Sequence, residues 1–180
     1  MTEITDTTLT AVQRKFVLHW GEMGNRWGIN RTMAQIHALL YLSPRPLHAE
    51  EVCAILQVAR SNVSTAMREL QGWGIVRVVH VLGDRRDHFE SLKDPWELFR
   101  IVLEERKRRE IDPTVELLAD CLAEAEKAGP AEAVTRERLA ALHEFFTTMT
   151  SWYQGMNALP DKALRSFVKL GPKVGRFFKL

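Results

Sequence analysis

The fold is decided by residues 58–88, VARSNVSTAMRELQGWGIVRVVHVLGDRRDH. Val63, Met67 and Leu70, with Ala66 beside them, fall at steps of three and four and mark one face of an amphipathic helix over residues 60–73. Gly74 stops that helix. Ile75 to Leu82 is rich in β-branched residues, Gly83 supplies a turn, and His88 to Ser91 begins a return strand. Arg85 and Arg86 sit at the projecting tip. A helix followed by an arginine-tipped hairpin is the layout of a winged helix, in which the helix enters a DNA major groove and the hairpin lies beside it.

The chain on the N-terminal side supplies the rest of such a unit. Over residues 8 to 26, Leu9, Val12, Phe16, Trp20 and Met23 predict a first amphipathic helix with these residues inward. A second helix is expected from Arg31 to Leu42, with Met33, Ile36, Leu39 and Leu40 on its apolar side, and Ser43-Pro44-Arg45-Pro46 breaks it. A short helix follows from Ala49 to Leu56, with Val52, Ile55 and Leu56 inward. His48 takes its cap position, and Glu50 and Glu51 suit the positive end of its dipole. This helix and the one after it form a helix-turn-helix candidate.

Beyond the hairpin only helices are expected. Asp94-Pro95-Trp96-Glu97 is a helix start, with Asp94 as cap and Pro95 at the first helical position. That helix is read to Arg109, a new one from Asp112-Pro113 to Ala128-Gly129-Pro130, and a long one from Thr135 to Ala158. A basic segment follows from Pro160, which Gly171-Pro172 is expected to interrupt.

The outward face of residues 60–73 carries Arg60, Ser61, Asn62, Ser64, Thr65 and Arg68. Arginine can bond guanine O6 and N7 together, asparagine can bond adenine N6 and N7, and hydroxyls suit phosphate oxygens. Arg85 and Arg86 at the wing can neutralise phosphate or enter the narrow minor groove. A solvated helix face is the plainer reading of the helix alone, and the wing beside it tips the balance. Net charge is only +2, so the case rests on where the arginines stand.

With those residues read, RSNVSTAMRELQGWGIVR followed by GDRRDHFE resembles the MarR superfamily of winged-helix transcriptional regulators, and specifically its GbsR-like branch. The carrying features are Leu70-x-x-x-Gly74-Ile75-Val76, and Asp84-Arg85-Arg86 at the wing, where Asp84 and Arg86 match the superfamily's aspartate and arginine. The resemblance implies a homodimeric repressor or activator that binds a pseudo-palindrome and responds to a small ligand, with Asp84 orienting the arginines. Ala59 stands where a capping residue is expected, and DPWELFRIVLEERKRRE departs from the ordinary pattern after the wing.

In the long C-terminal helix Leu139, Leu142, Phe146, Met149, Tyr153 and Met156 follow an a/d spacing, with Phe145, Trp152 and Leu159 flanking. A second copy of the chain is the favoured cover and an internal bundle the alternative. The GbsR-like resemblance brings in choline, a quaternary ammonium that aromatic faces can hold, and Trp20, Trp27, Trp96, Trp152 and Tyr153 are the candidate members of such a box. Aromatic residues at helical spacing are more commonly core. In the tail, Lys162, Arg165, Lys169, Lys173, Arg176 and Lys179 stand among Leu164, Phe167, Val168, Val174, Phe177 and Phe178, a strip for which packing on the partner subunit is the favoured reading and a membrane-surface segment or an extra phosphate contact the alternatives.

A hydrophobic share of 46% and a charged share of 27% fit a soluble globular protein. No membrane span or secretory leader is read, so the cytoplasm is the expected location. Cys53 and Cys121 form no disulfide or metal spacing, and Cys53 carries a minor redox alternative. The six histidines are scattered, no nucleophile motif occurs, and no cofactor, metal site or enzyme activity is expected.

The expectation is a mainly α protein: a winged helix-turn-helix domain over residues 1–93, with a β-hairpin wing, and a helical dimerisation and effector-binding region over 94–180. Its partners would be double-stranded DNA, a second copy and a small effector, with no membrane. The alternative is a winged-helix module that binds protein and no DNA.

Overall fold

Thr10 starts the first helix, α1 (Ala11–Arg26): its hydroxyl accepts the Gln13 amide while the Gln13 side chain accepts the Thr10 amide. This reciprocal cap satisfies two donors that a helix start leaves open. Gly28, at φ +75°, takes the left-handed position that ends the helix. Asn30 then caps α2 (Arg31–Leu42), accepting the Thr32 and Met33 amides at 2.9 and 3.2 Å. A computed structural model of the protein describes residues 9–177, with side chains as far as Leu170.

Helix α2 is the axis of the first unit. Met33, Ile36, Leu39 and Leu40 are buried as the apolar spacing predicts, together with Ala34 and Ala38. The facing side of α1 differs from the sequence reading. Val17, Gly21 and Gly24 are buried, and Val12 is 78% exposed. A Cβ built on Gly24 would stand 2.4 Å from the Ala34 Cβ, so the two helices meet backbone to backbone where a glycine permits it. Phe16, Trp20 and Met23 stay half-buried beside this contact, because its closest approach is made by small residues.

The chain then forms β1 (Leu47–His48), α3 (Ala49–Leu56), α4 (Arg60–Gly72), β2 (Val76–Val79) and β3 (His88–Ser91). The sheet has three antiparallel strands in the order β1-β3-β2, whereas the sequence suggests a two-stranded hairpin. Leu47 pairs with Phe89 and His48 with His88, so the entrance to α3 is tied directly to the wing. Strand β2 stops at Val79, and residues 80–87 form the tip, with Leu82 fully exposed. On β2 and β3, Arg77 and Glu90 sit opposite each other and pair at 2.6 Å. Val52 from α3 and Val63, Met67 and Leu70 from α4 close on α2, with Ile75 and Val76 completing the core. The Lys93 ammonium donates to the carbonyls of Leu40, Tyr41 and Ser43 at 2.7, 2.8 and 2.9 Å, capping the C-terminal end of α2.

Asp94 caps α5 (Pro95–Arg106), accepting the Trp96 amide at 2.8 Å. The described residues form two compact units that divide between Ile101 and Val102, within this helix. In the second unit a π-helical turn, Lys107–Ile111, leads without a gap into α6 (Asp112–Ala128), so the expected break before Asp112 is absent. The Asp112 amide reaches back to the Lys107 carbonyl. Pro113 brings no amide of its own, and the wide turn ahead of it accommodates the missing bond. A 3-10 turn, Gly129–Glu132, reverses the chain into α7 (Ala133–Asn157), which packs on α6. Helix α8 (Asp161–Phe177) follows and runs through Gly171 and Pro172, where the sequence predicts an interruption. Its two-sided pattern of basic and apolar residues suits a helix strongly enough to carry one proline. The tail side chains from Lys173 onward lie outside the described residues.

Candidate nucleic-acid interface

Helix α4 sorts its side chains cleanly. Val63, Ala66, Met67 and Leu70 are buried, while Arg60, Ser61, Asn62, Ser64, Thr65 and Arg68 are all exposed. The structure therefore turns every candidate reading residue outward on one face. Ala59 precedes them and makes no side-chain cap, so the first-turn amides have no side chain folded over them. Amides left open at a helix start suit an anionic oxygen.

The wing approaches this face. Asp84 accepts the Arg86 Nε–H at 2.9 and 3.0 Å and the Arg86 backbone N–H at 3.0 Å, which fixes the guanidinium against the tip. The Arg86 bonds hold the Asp84 carboxyl well below the usual carboxylate range. Both groups are solvated, so the pair fixes direction more than it adds stability. Behind the tip, His88 is buried, and its Nδ1 lies 3.0 Å from the Arg86 carbonyl. A carbonyl can only accept, so Nδ1 carries the proton and Nε2 faces Asp84 at 3.5 Å. The His88 ring meets the His48 ring edge to face at 5.5 Å.

A shallow groove of about 330 Å³ lies between α4, the start of α3 and the wing. Arg60, Ser64 and Arg68 line it from the helix, Arg86 and Asp87 from the wing, and Glu50 from α3. Arg60 donates to Glu50, and the side chains are 59% and 53% exposed. The Arg60 hydrogen bond is the main cause that brings the Glu50 carboxyl down to about 2. His48 Nδ1 lies 2.9 Å from the other Glu50 oxygen and 3.3 Å from the Glu51 amide; protonated it serves the first, unprotonated the second. Among the described residues Arg68 and Arg85 form no hydrogen bond or ion pair, so their charges face solvent uncompensated. The sequence reading missed Glu50, His48 and His88 as parts of this region. Their one signal was position: a first-turn residue of the leading helix, its cap, and the first residue of the return strand.

The other candidates do not line this groove. Trp20 stacks on Phe16 at 5.2 Å and meets Trp27 edge to face at 5.5 Å, which is aromatic packing on α1 and the turn after it. Trp96 belongs to α5 and is half-buried. Trp152 and Tyr153 lie on α7 in the second unit, Trp152 exposed and Tyr153 donating to Glu104 at 3.0 Å. Along α7, Leu139, Phe146, Tyr153 and Met156 are half-buried, whereas Leu142 and Met149 join Phe145 and Trp152 in an exposed stripe at steps of three and four. No group of histidines, cysteines and carboxylates that could hold a metal occurs among the described residues. No described helix is long and apolar enough to cross a membrane.

This geometry can be compared with known proteins. Residues 27–87, from the end of α1 to the wing tip, match the MarR family. The match spans about a third of the chain and covers most of the segment that builds the groove. A solved structure described as a crystal structure of a transcriptional regulator is 20% identical, with a TM-score of 0.55 over 88% of this chain and 99% of that one. At that identity the likeness shows the fold. No curated protein matches the chain.

Proposed function

We propose that the protein is a sequence-specific DNA-binding regulator of transcription and not an enzyme. The observation that carries this is the outward face of α4, where Arg60, Ser61, Asn62, Ser64, Thr65 and Arg68 stand beside the arginine-tipped wing. In the major groove Asn62 and Arg68 offer the bidentate base contacts, while Ser61, Ser64 and Thr65 suit phosphate and Arg60 grips one or the other. Arg86, held by Asp84, reaches the minor groove and Arg85 takes a phosphate.

The regulator acts as a cytoplasmic homodimer on a pseudo-palindromic operator, as a GbsR-like member of the superfamily. The exposed stripe Leu142, Phe145, Met149 and Trp152 supports a second copy as its cover, since an apolar stripe of this width is costly in water. The effector class in view is a quaternary ammonium, for which the aromatic faces of the chain are the candidate contacts.

Electrophoretic mobility shift on upstream DNA, run across a salt series against scrambled duplex, tests the central claim. A salt-sensitive complex that prefers its own operator is expected. Absence of any such complex would favour a winged-helix module that binds protein. Tryptophan fluorescence during choline titration, with and without operator, tests whether an effector is coupled to DNA affinity.

A further inference from the structure

Glu50 stands where a DNA-binding surface has least use for a carboxylate. It lies on the first turn of α3 and opens onto the same groove as Arg60, Arg68 and Arg86. Any phosphate approaching that groove meets its negative charge. Its partner explains its presence. Arg60 is the first residue of α4, where a cation opposes the positive end of the helix dipole and no cap from Ala59 steadies the turn. The Glu50–Arg60 pair spans the gap between the two helices of the helix-turn-helix, and the second Glu50 oxygen is turned to His48. The arginine is thereby anchored from outside its own helix.

We propose that Glu50 is a positioning residue for Arg60 and sets sequence discrimination: it keeps Arg60 on the reading face and denies it to whatever phosphate lies nearest. This rests on the DNA-binding reading above. An unrestrained arginine at a helix start is a general phosphate ligand, able to bind any duplex. Tethered to a carboxylate, it yields to DNA only where its bond to a base outweighs the ion pair it must break. The cost falls on non-specific complexes, which offer no base edge in return. Glu50 also bears on Arg86 through space, so a change at Glu50 alone would mix two effects. Removing Arg60 separates them.

The experiment is a double-mutant cycle of Glu50→Gln and Arg60→Ala, read as affinity for operator and for scrambled duplex across a salt series. Non-specific binding of about 10⁻⁵ M shared over about eight phosphates assigns each a factor of about four. Glu50→Gln is therefore expected to tighten scrambled-duplex binding about fourfold, to steepen its log–log salt slope by about 0.9, and to narrow the operator preference. In the Arg60→Ala background the same change should do little, and Glu50→Asp should keep most of the wild-type preference. A gain that persists without Arg60 would mean simple repulsion of phosphate by Glu50 and would overturn the inference. An unchanged preference in Glu50→Gln, with wild type still selective, would overturn it alone; a wild type without operator preference would remove the DNA-binding reading and this inference together. Both side chains are exposed, so thermal midpoints within about a degree of wild type verify that the variants are folded.

Discussion

Acid should destabilise the first unit through His37. It lies half-buried on α2, with its Nε2 buried and without a hydrogen-bond partner. Burial first, and the Lys93 charge second, lower its pKa from 6.5 to about 4. The native protein therefore keeps the imidazole neutral where the unfolded chain takes up a proton. Stability is unaffected above pH 6.5, falls as pH drops through the interval from 6.5 to 4, and falls no further from this cause below it. The fall from 6.5 to about 4, at about 1.4 kcal/mol per pH step, gives a full cost of about 3 kcal/mol, of which about 2 kcal/mol is reached at pH 5. His37→Leu cannot titrate. Urea denaturation of both proteins at pH 7 and pH 5, at one protein concentration, isolates the effect because all other groups are common to the pair. Wild type should lose about 2 kcal/mol more than the variant over that interval. Equal losses would refute the reasoning, and the imidazole would then have found a proton acceptor or water in the native state.

Further outcomes follow from the same contacts. Lys93→Met removes three charge-assisted bonds to the end of α2 and should cost about 1–3 kcal/mol by urea denaturation, while relieving part of the shift on His37. Gly24→Ala forces a methyl into the Ala34 Cβ at 2.4 Å and should cost about 1–3 kcal/mol, and Ala34→Gly in the same chain should restore most of the thermal midpoint. Arg68→Ala should lose about 1–3 kcal/mol of operator affinity and relax preference at one base pair, measured over single-base operator variants. Arg86→Ala should instead weaken all duplexes and flatten the salt slope by about 0.9.

The elements whose apolar residues are large were legible in the chain. Met33, Ile36, Leu39 and Leu40 marked α2 and its inward face, and Val63, Met67 and Leu70 marked α4. Where two elements meet through small residues or backbone, the pattern misled. The α1–α2 interface turns on Gly21 and Gly24, which carry no hydrophobic signal, and β1 is a two-residue strand set by pairing with residues about 40 positions away. The π-helical turn before Asp112 and the passage of α8 through Pro172 depend on how a helix absorbs a missing amide, which local propensity does not encode.

The same division runs through the candidate site. Its outward residues were readable because α4 leaves Arg60, Ser61, Asn62, Ser64, Thr65 and Arg68 on the face opposite its core. Its restraints were not, since each is a pair brought together by tertiary structure: Glu50 with Arg60 across two helices, and His48 with His88 across two strands. Physically the restraints matter as much as the cations. Arg68 and Arg85 can meet DNA without breaking an ion pair, while Arg60 and Arg86 must first exchange a carboxylate for it. An interface that mixes free and restrained arginines binds a random stretch of phosphate more weakly than its number of cations implies. Under the DNA-binding reading proposed above, it sheds that penalty only on a duplex whose base edges answer the outward face of α4, which would let a surface of modest net charge prefer one sequence.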